Sequence, residues 1–143
     1  MTLQEWMAHT DQFTARGADG HNRVFRLLAG ETNSQFEYSV YSDPPPEDGE
    51  FFELTLTQVN GLGLQIAFIG HPHRHPNYRG MGIPNPLLPL VARRVNQRIW
   101  SSRKGVPRPA EFQTHLAIRM WDRLVEDKLA CYDSVRGRYC VDP

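Results

Sequence analysis

Three histidines, His71, His73 and His75, alternate through the segment Gly70-His71-Pro72-His73-Arg74-His75-Pro76. Alternate side chains of an extended chain project to one side, so three imidazoles in this pattern can approach one metal ion. Pro72 and Pro76 oppose a regular strand, and no carboxylate or thiol nearby completes a ligand set, so the sequence assigns no metal site. Imidazole also titrates near neutral pH, which makes His71 a candidate to take the proton from an attacking amine; a solvated basic loop is the alternative reading. Glu53 alternates with Phe52 and Leu54 in a β-rich run. Its carboxylate is therefore either a base above a substrate cleft or a solvent-facing group.

A second chemistry is carried by Arg79-Gly80-Met81-Gly82, which stands just before an apolar stripe of Leu87, Leu88, Val91 and Val95. A glycine loop that opens a helix can cradle a phosphate, because first-turn N–H groups lack intrahelical partners and carry the positive end of the helix dipole. A plain tight turn explains the same residues. The cations Arg93, Arg94, Arg98, Arg103, Lys104 and Arg108 can meet a phosphate, an acidic protein or nucleic acid. The absence of an aromatic platform or a helix-turn-helix pattern argues against nucleic acid.

The elements that must position these groups follow from periodicity. Thr2 to Phe13 reads as a helix, with capping-box spacing between Thr2 and Glu5, apolar residues Leu3, Trp6, Met7 and Phe13, and Gly17 and Gly20 beyond its end. Arg23 to Leu28 and Gln35 to Tyr41 read as strands joined by a Gly30 to Ser34 loop. Asp43 to Gly49, with Pro44, Pro45 and Pro46, is an exposed loop. Phe51 to Val59 and Leu62 to Ile69 flank Asn60-Gly61, which predicts a hairpin with a type I′ turn. The glycine loop leads into a helix whose Pro84 and Pro86 suit a first turn and whose Pro89 should kink it or delay its start. A short strand over Arg98 to Ser102 comes next, then a polar loop from Arg103 to Pro109. A helix from Ala110 to Asp127 then turns Leu116, Ala117, Met120, Trp121, Leu124 and Val125 inward. Leu129 to Tyr132 and Arg138 to Val141 close the chain as a hairpin. With Ser134 to Gly137 as its loop, Asp133 faces Arg138 and Cys131 faces Cys140.

Composition bounds what these elements build. The chain has 143 residues, 40% hydrophobic and 22% charged, which fits one globular domain, 1–143, with one core. Its apolar runs are too short for a membrane-spanning helix and its start lacks a secretory plan, so a cytoplasmic protein is expected. Two cysteines without CxxC spacing are expected to be reduced thiols, although opposed thiols can oxidise in air. The zero net charge hides an asymmetry: residues 1–70 carry 3 Lys+Arg against 10 Asp+Glu, and residues 71–143 carry 13 against 6. This pattern points to an anionic ligand or partner on the C-terminal side, or to solvated faces.

The order of strand, glycine loop, helix, strand, helix and terminal β-structure resembles the GCN5-related N-acetyltransferase (GNAT) superfamily over roughly residues 22–141. In that family the acetyl-CoA pyrophosphate lies on a Gln/Arg-x-x-Gly-x-Gly/Ala loop. Arg79, Gly82 and Pro84 fall on its first, fourth and sixth positions, and Thr114-His115-Leu116-Ala117 with Trp121 is similar to a later Asn-x-x-Ala signature with its following aromatic residue. The resemblance implies an α/β fold with a mixed, mostly antiparallel central sheet flanked by helices. It implies an acetyl-CoA site at Ile69, His71, Arg74, Arg79, Gly80, Met81, Gly82, Ile83, Thr114, Ala117 and Trp121.

It further implies transfer of an acetyl group to an amine, with Glu53 or His71 as base. Two departures fall at functional places. Pro84 has no N–H to offer a pyrophosphate, and Trp121 stands where many members carry the tyrosine that protonates the leaving thiolate, which leaves Tyr132 either as substitute acid or as a buried tyrosine with a satisfied hydroxyl. The other reading is a catalytically inactive GNAT-like protein, such as a phage-type accessory regulator or inhibitor. It would engage a protein partner through its acidic half, its basic half or the Pro44 to Glu47 loop. An open strand near Ile99 or the terminal hairpin also allows a homodimer.

Overall fold

The computed structural model describes residues 2–32, 34–70, 78, 80–102 and 114–143, without the side chains of residues 3 and 114–118. Helix α1 (Leu3–His9) leads into β1 (Thr10–Arg16), β2 (Asn22–Glu31), β3 (Gln35–Ser42), β4 (Phe52–Val59) and β5 (Gly63–Gly70). Helix α2 (Pro84–Val95), β6 (Ile99–Trp100), α3 (Thr114–Glu126), β7 (Cys131–Asp133) and β8 (Arg138–Val141) complete the order. The strands form one eight-stranded sheet in the order β1-β2-β3-β4-β5-β6-β8-β7. The architecture is α/β with a mostly antiparallel sheet, and β5–β6 is its parallel pair. Among the described residues no helix is long and apolar enough to cross a membrane.

Alternation along the first strands builds one apolar face. The register lays two rows of core side chains, Leu27-Val40-Phe52 across β2 to β4 and Ala29-Tyr38-Leu54-Ile69 across β2 to β5. From α2, Leu87, Leu88, Val91 and Ala92 join this core, and α3 adds Trp121 and Leu124. A buried leucine contributes about 1.5–3 kcal/mol relative to an exposed one, so this shared face dominates the fold's stability. The opposite face carries Ser39 and Glu53 as cross-strand partners.

Several elements differ from the sequence reading. The N-terminal helix ends at His9, and Thr10 to Phe13 belong to β1, where Phe13 pairs with Phe25 and stacks on it at 5.8 Å. The capping box of Thr2 and Glu5 forms as expected, and Gly17 and Gly20 turn β1 into β2, the Gly20 N–H donating to the Gly17 carbonyl. In the β4–β5 turn only Gly61 has positive φ (73°), so the type I′ geometry, which needs it at Asn60 as well, is not adopted; Val59 pairs with Gly63 across a longer loop. Helix α2 starts at Pro84 without delay and runs through Pro89. Val125 is 39% exposed instead of inward. The terminal hairpin has the expected register, Asp133↔Arg138 and Cys131↔Cys140.

Candidate functional site

The glycine loop is anchored by its neighbours. Tyr78 is buried, with its hydroxyl donating to the Glu50 carbonyl at 2.8 Å and accepting from the Ser42 N–H at 3.3 Å. Burial, opposed by the Ser42 hydrogen bond, holds this phenol above its ordinary pKa. Gly80 (φ 71°) accepts from the Ala18 N–H at 2.7 Å, and Gly82 (φ 72°) packs so closely on Arg16 that a Cβ there would overlap the Arg16 carbonyl oxygen. The glycines therefore answer to the end of β1. Met81 and the buried Ile83 pack on the core.

Helix α2 begins at Pro84, which places Pro84 and Pro86 at its first and third positions, and Ile83 provides no side-chain cap. Proline has no N–H, so two of the first-turn donors that would meet an anion are missing. Sequence reasoning counted Pro84; the helix start adds Pro86.

A second feature lies between the parallel strands. β5 pairs with β6 only at Leu64↔Ile99 and Gln65↔Trp100, while β5 continues to Gly70. From Ile66 to Gly70 no strand pairs with that edge of β5 among the described residues. Against β4 the register shifts between Thr55 and Leu56, which oppose Phe68 and Ile66 and leave Ala67 as an extra residue. A bulge re-aims the strand at this point, and bulges concentrate beside binding sites. In open sheets, ligands sit beyond the carboxyl ends of parallel strands where the connection reverses, which is where this edge opens.

The branch point is fixed from below. The Arg138 guanidinium donates from Nη1 to Gln65 Oε1 at 2.8 Å and to the Ser101 carbonyl at 3.2 Å, spanning β6 to tie β8 to β5. Trp100 donates from Nε1 to the Leu62 carbonyl at 2.8 Å, and the Arg136 guanidinium lies 5.5 Å from its ring centroid.

Of the residues proposed from sequence, the structure brings Glu53 and Ile69 to this opening. Glu53 is half-buried, pairs across with Gly70, and accepts from Thr55 Oγ1 at 3.2 Å; Ile69 is the adjacent β5 residue, turned to the core. Tyr132 is elsewhere. It lies on β7, 44% exposed, with its ring 5.0 Å from Tyr139 on the α3 side. From β4 to β7 there are four strand spacings of about 4.8 Å, or about 19 Å, and the Glu53 and Tyr132 side chains point to opposite faces. Trp121 is a core residue, 4% exposed and stacked on Tyr139 at 5.5 Å and 10°. His71, His73, His75, Arg74, Arg79, Arg103, Lys104 and Arg108 lie outside the described residues, as do the side chains of Thr114 and Ala117. Among the described residues no group of three His, Cys, Asp or Glu side chains is placed to hold a metal ion.

One polar cluster has no counterpart in the sequence reading. Arg94 binds Glu31 at 2.8 Å and Asp11 at 3.3 Å, joining the basic C-terminal half to the acidic N-terminal half. The hydrogen bond to Glu31 raises the Arg94 pKa further. Tyr38, fully buried, holds its hydroxyl beside the Glu31 carboxylate but outside hydrogen-bonding geometry; burial and that negative charge keep the phenol neutral. An open depression of about 620 Å³ adjoins the cluster, lined by Ala8, His9, Asp11, Leu28, Ala29 and Arg94, with Leu27 beneath. Asp11 and Arg94 are 83 positions apart, so no motif could have announced their meeting.

No protein-family model, curated protein or solved structure matches the chain. The functional reading therefore rests on the residues themselves.

Proposed function

We propose that this chain is a GNAT-like acyltransferase that binds an acyl-CoA with the thioester laid along the open edge of β5, Ile66 to Gly70. The observation that carries the reading is the two-rung β5–β6 ladder with its bulge at Ala67. Backbone N–H groups on an edge that no described strand pairs with can hold the thioester carbonyl oxygen and stabilise the oxyanion that forms when an amine attacks. Glu53, opposite Gly70, receives the amine proton directly or through a water, and His71, next in the chain, is a second base. Tyr132 is too far from Glu53 to serve the same reacting centre. The CoA thiolate then leaves without a positioned acid, so turnover is expected to be slow.

Calorimetric titration of the purified protein with acetyl-CoA, beside the Arg79→Glu variant, tests it. Micromolar binding that the substitution abolishes supports the reading and justifies an acceptor screen. No heat at millimolar ligand overturns it.

A second reading, a GNAT-like scaffold that binds a partner protein without catalysis, is favoured by the glycine loop. Gly82 is committed to Arg16, and Pro84 and Pro86 offer α2's first turn no N–H. That reading predicts a stoichiometric protein complex, found by pull-down, and no acetyl-CoA hydrolysis or transfer.

A further inference from the structure

Cys131 and Cys140 are direct cross-strand partners in the β7–β8 ladder. Opposed residues of an antiparallel pair have Cα atoms about 4.5–5.5 Å apart, within the span of about 4.4–6.8 Å that a disulfide bridges, and their side chains share a face. Both thiols are free, Cys131 exposed and Cys140 buried. β7 is the outermost strand of the sheet, so a small reagent can reach Cys131. Cys140 is held as the thiol: burial foremost, then the Asp142 charge, push its pKa up to about 12, and its sulfur donates to Asp142 Oδ1 at 3.7 Å. One accessible and one sheltered sulfur, placed opposite each other, have the asymmetry of an entry thiol and a resolving thiol.

We propose that Cys131 and Cys140 form a reversible dithiol–disulfide pair, oxidised by a small-molecule disulfide of the glutathione class, that ties β7 to β8. In the first step the Cys131 thiolate attacks one sulfur of the small disulfide. A bond forms to Cys131, the original S–S bond breaks, and one small thiolate departs and takes a proton. In the second step the Cys140 sulfur attacks the Cys131 sulfur while its proton passes to the Asp142 carboxylate and on to water. The second small thiolate departs and is protonated in turn. The two protein thiols are oxidised and the small disulfide is reduced to two small thiols. Because Cys131 is exposed and Cys140 is buried opposite it, the mixed disulfide forms on Cys131 first and Cys140 then resolves it.

The test is a time course of the folded chain in oxidised glutathione, quenched with acid and followed by intact mass and non-reducing peptide mapping. The expected sequence is a glutathione adduct on Cys131, then its replacement by a species lighter than the reduced protein by two hydrogens, with residues 131 and 140 in one linked fragment. Excess reduced glutathione should restore both thiols. Cys140→Ser should stop at the Cys131 adduct, and Cys131→Ser should remain unmodified while folded. A persistent adduct in the wild-type chain, or a dimer linked through Cys131, overturns the proposal.

Discussion

The backbone carbonyl of Arg16 occupies the space that a side chain on Gly82 would need. Gly80, two residues earlier, has the same left-handed φ, but a Cβ there would meet only the Ala18 methyl, at 3.9 Å. A non-glycine residue in this conformation costs about 1–2 kcal/mol, and forced overpacking adds about 1–3 kcal/mol. Gly80→Ala should therefore lose about 1–2 kcal/mol and Gly82→Ala about 2–5 kcal/mol in urea unfolding. Equal losses would show that contact with Arg16 is not what selects glycine at 82.

Glu53 and Tyr132 should separate kinetically. If the chain transfers acyl groups at the β5 edge, Glu53→Gln should lower kcat/KM by about 100-fold or more, the scale of a general base. Tyr132→Phe, on the far face, should leave it within about twofold. A larger loss for Tyr132→Phe than for Glu53→Gln, measured by steady-state kinetics, would move the reacting centre to the terminal hairpin.

Asp133 gives a pH signature. It accepts from the Arg136 N–H at 2.9 Å, the Arg136 guanidinium at 3.0 Å and the Val135 N–H at 3.0 Å, and these bonds, the Arg136 N–H foremost, hold its carboxyl below the ordinary carboxylate range. A depressed folded-state pKa contributes stability that is present above the unfolded value, about 3.9, and is lost as pH falls through the folded one. The stability difference between wild type and Asp133→Asn should hold steady from neutral pH to about 5 and shrink on further acidification. A difference that grows below pH 4 would contradict the assignment.

Trp121 and Val125 sit one turn apart on α3 with opposite fates. Trp121→Ala removes a buried ring stacked on Tyr139 and should cost about 3–5 kcal/mol. Val125→Ala, at a residue 39% exposed, should cost no more than about 0.5 kcal/mol. Denaturant midpoints of the two variants check both values.

The sequence was most legible where turn length alone sets pairing. In the terminal hairpin, four loop residues between Asp133 and Arg138 fix every rung, including Cys131 opposite Cys140. It was least legible where distant chain decides. Leu3, Trp6, Met7 and Phe13 share a helical spacing, yet Phe13 joins a strand because β2 offers a complete ladder of backbone partners and the Phe25 ring. Likewise, Asn60-Gly61 marked its hairpin correctly but not its turn type, because Val59 pairs with Gly63 and the loop runs over three residues, Asn60 to Leu62. Candidate site residues were legible as chemistry and not as geometry. Glu53 meets the β5 edge because it is opposite Gly70, whereas nothing in residue spacing shows that β6 stops after Trp100 or that Arg94 reaches Asp11.

The two-rung contact between β5 and β6 also bears on how the chain acquires its shape. Strands β1 to β5 follow one another in sequence and in space, so each pairs with the neighbour just made, at the low entropic cost of a short loop. During synthesis this N-terminal meander can zip progressively as it emerges. The remaining strands must wait for a long crossover and, among the described residues, pair with β5 only at Leu64↔Ile99 and Gln65↔Trp100, reinforced by Trp100 donating to the Leu62 carbonyl and Arg138 to Gln65. The seam that leaves β5 open is thus the last join to close and the first place for the sheet to part.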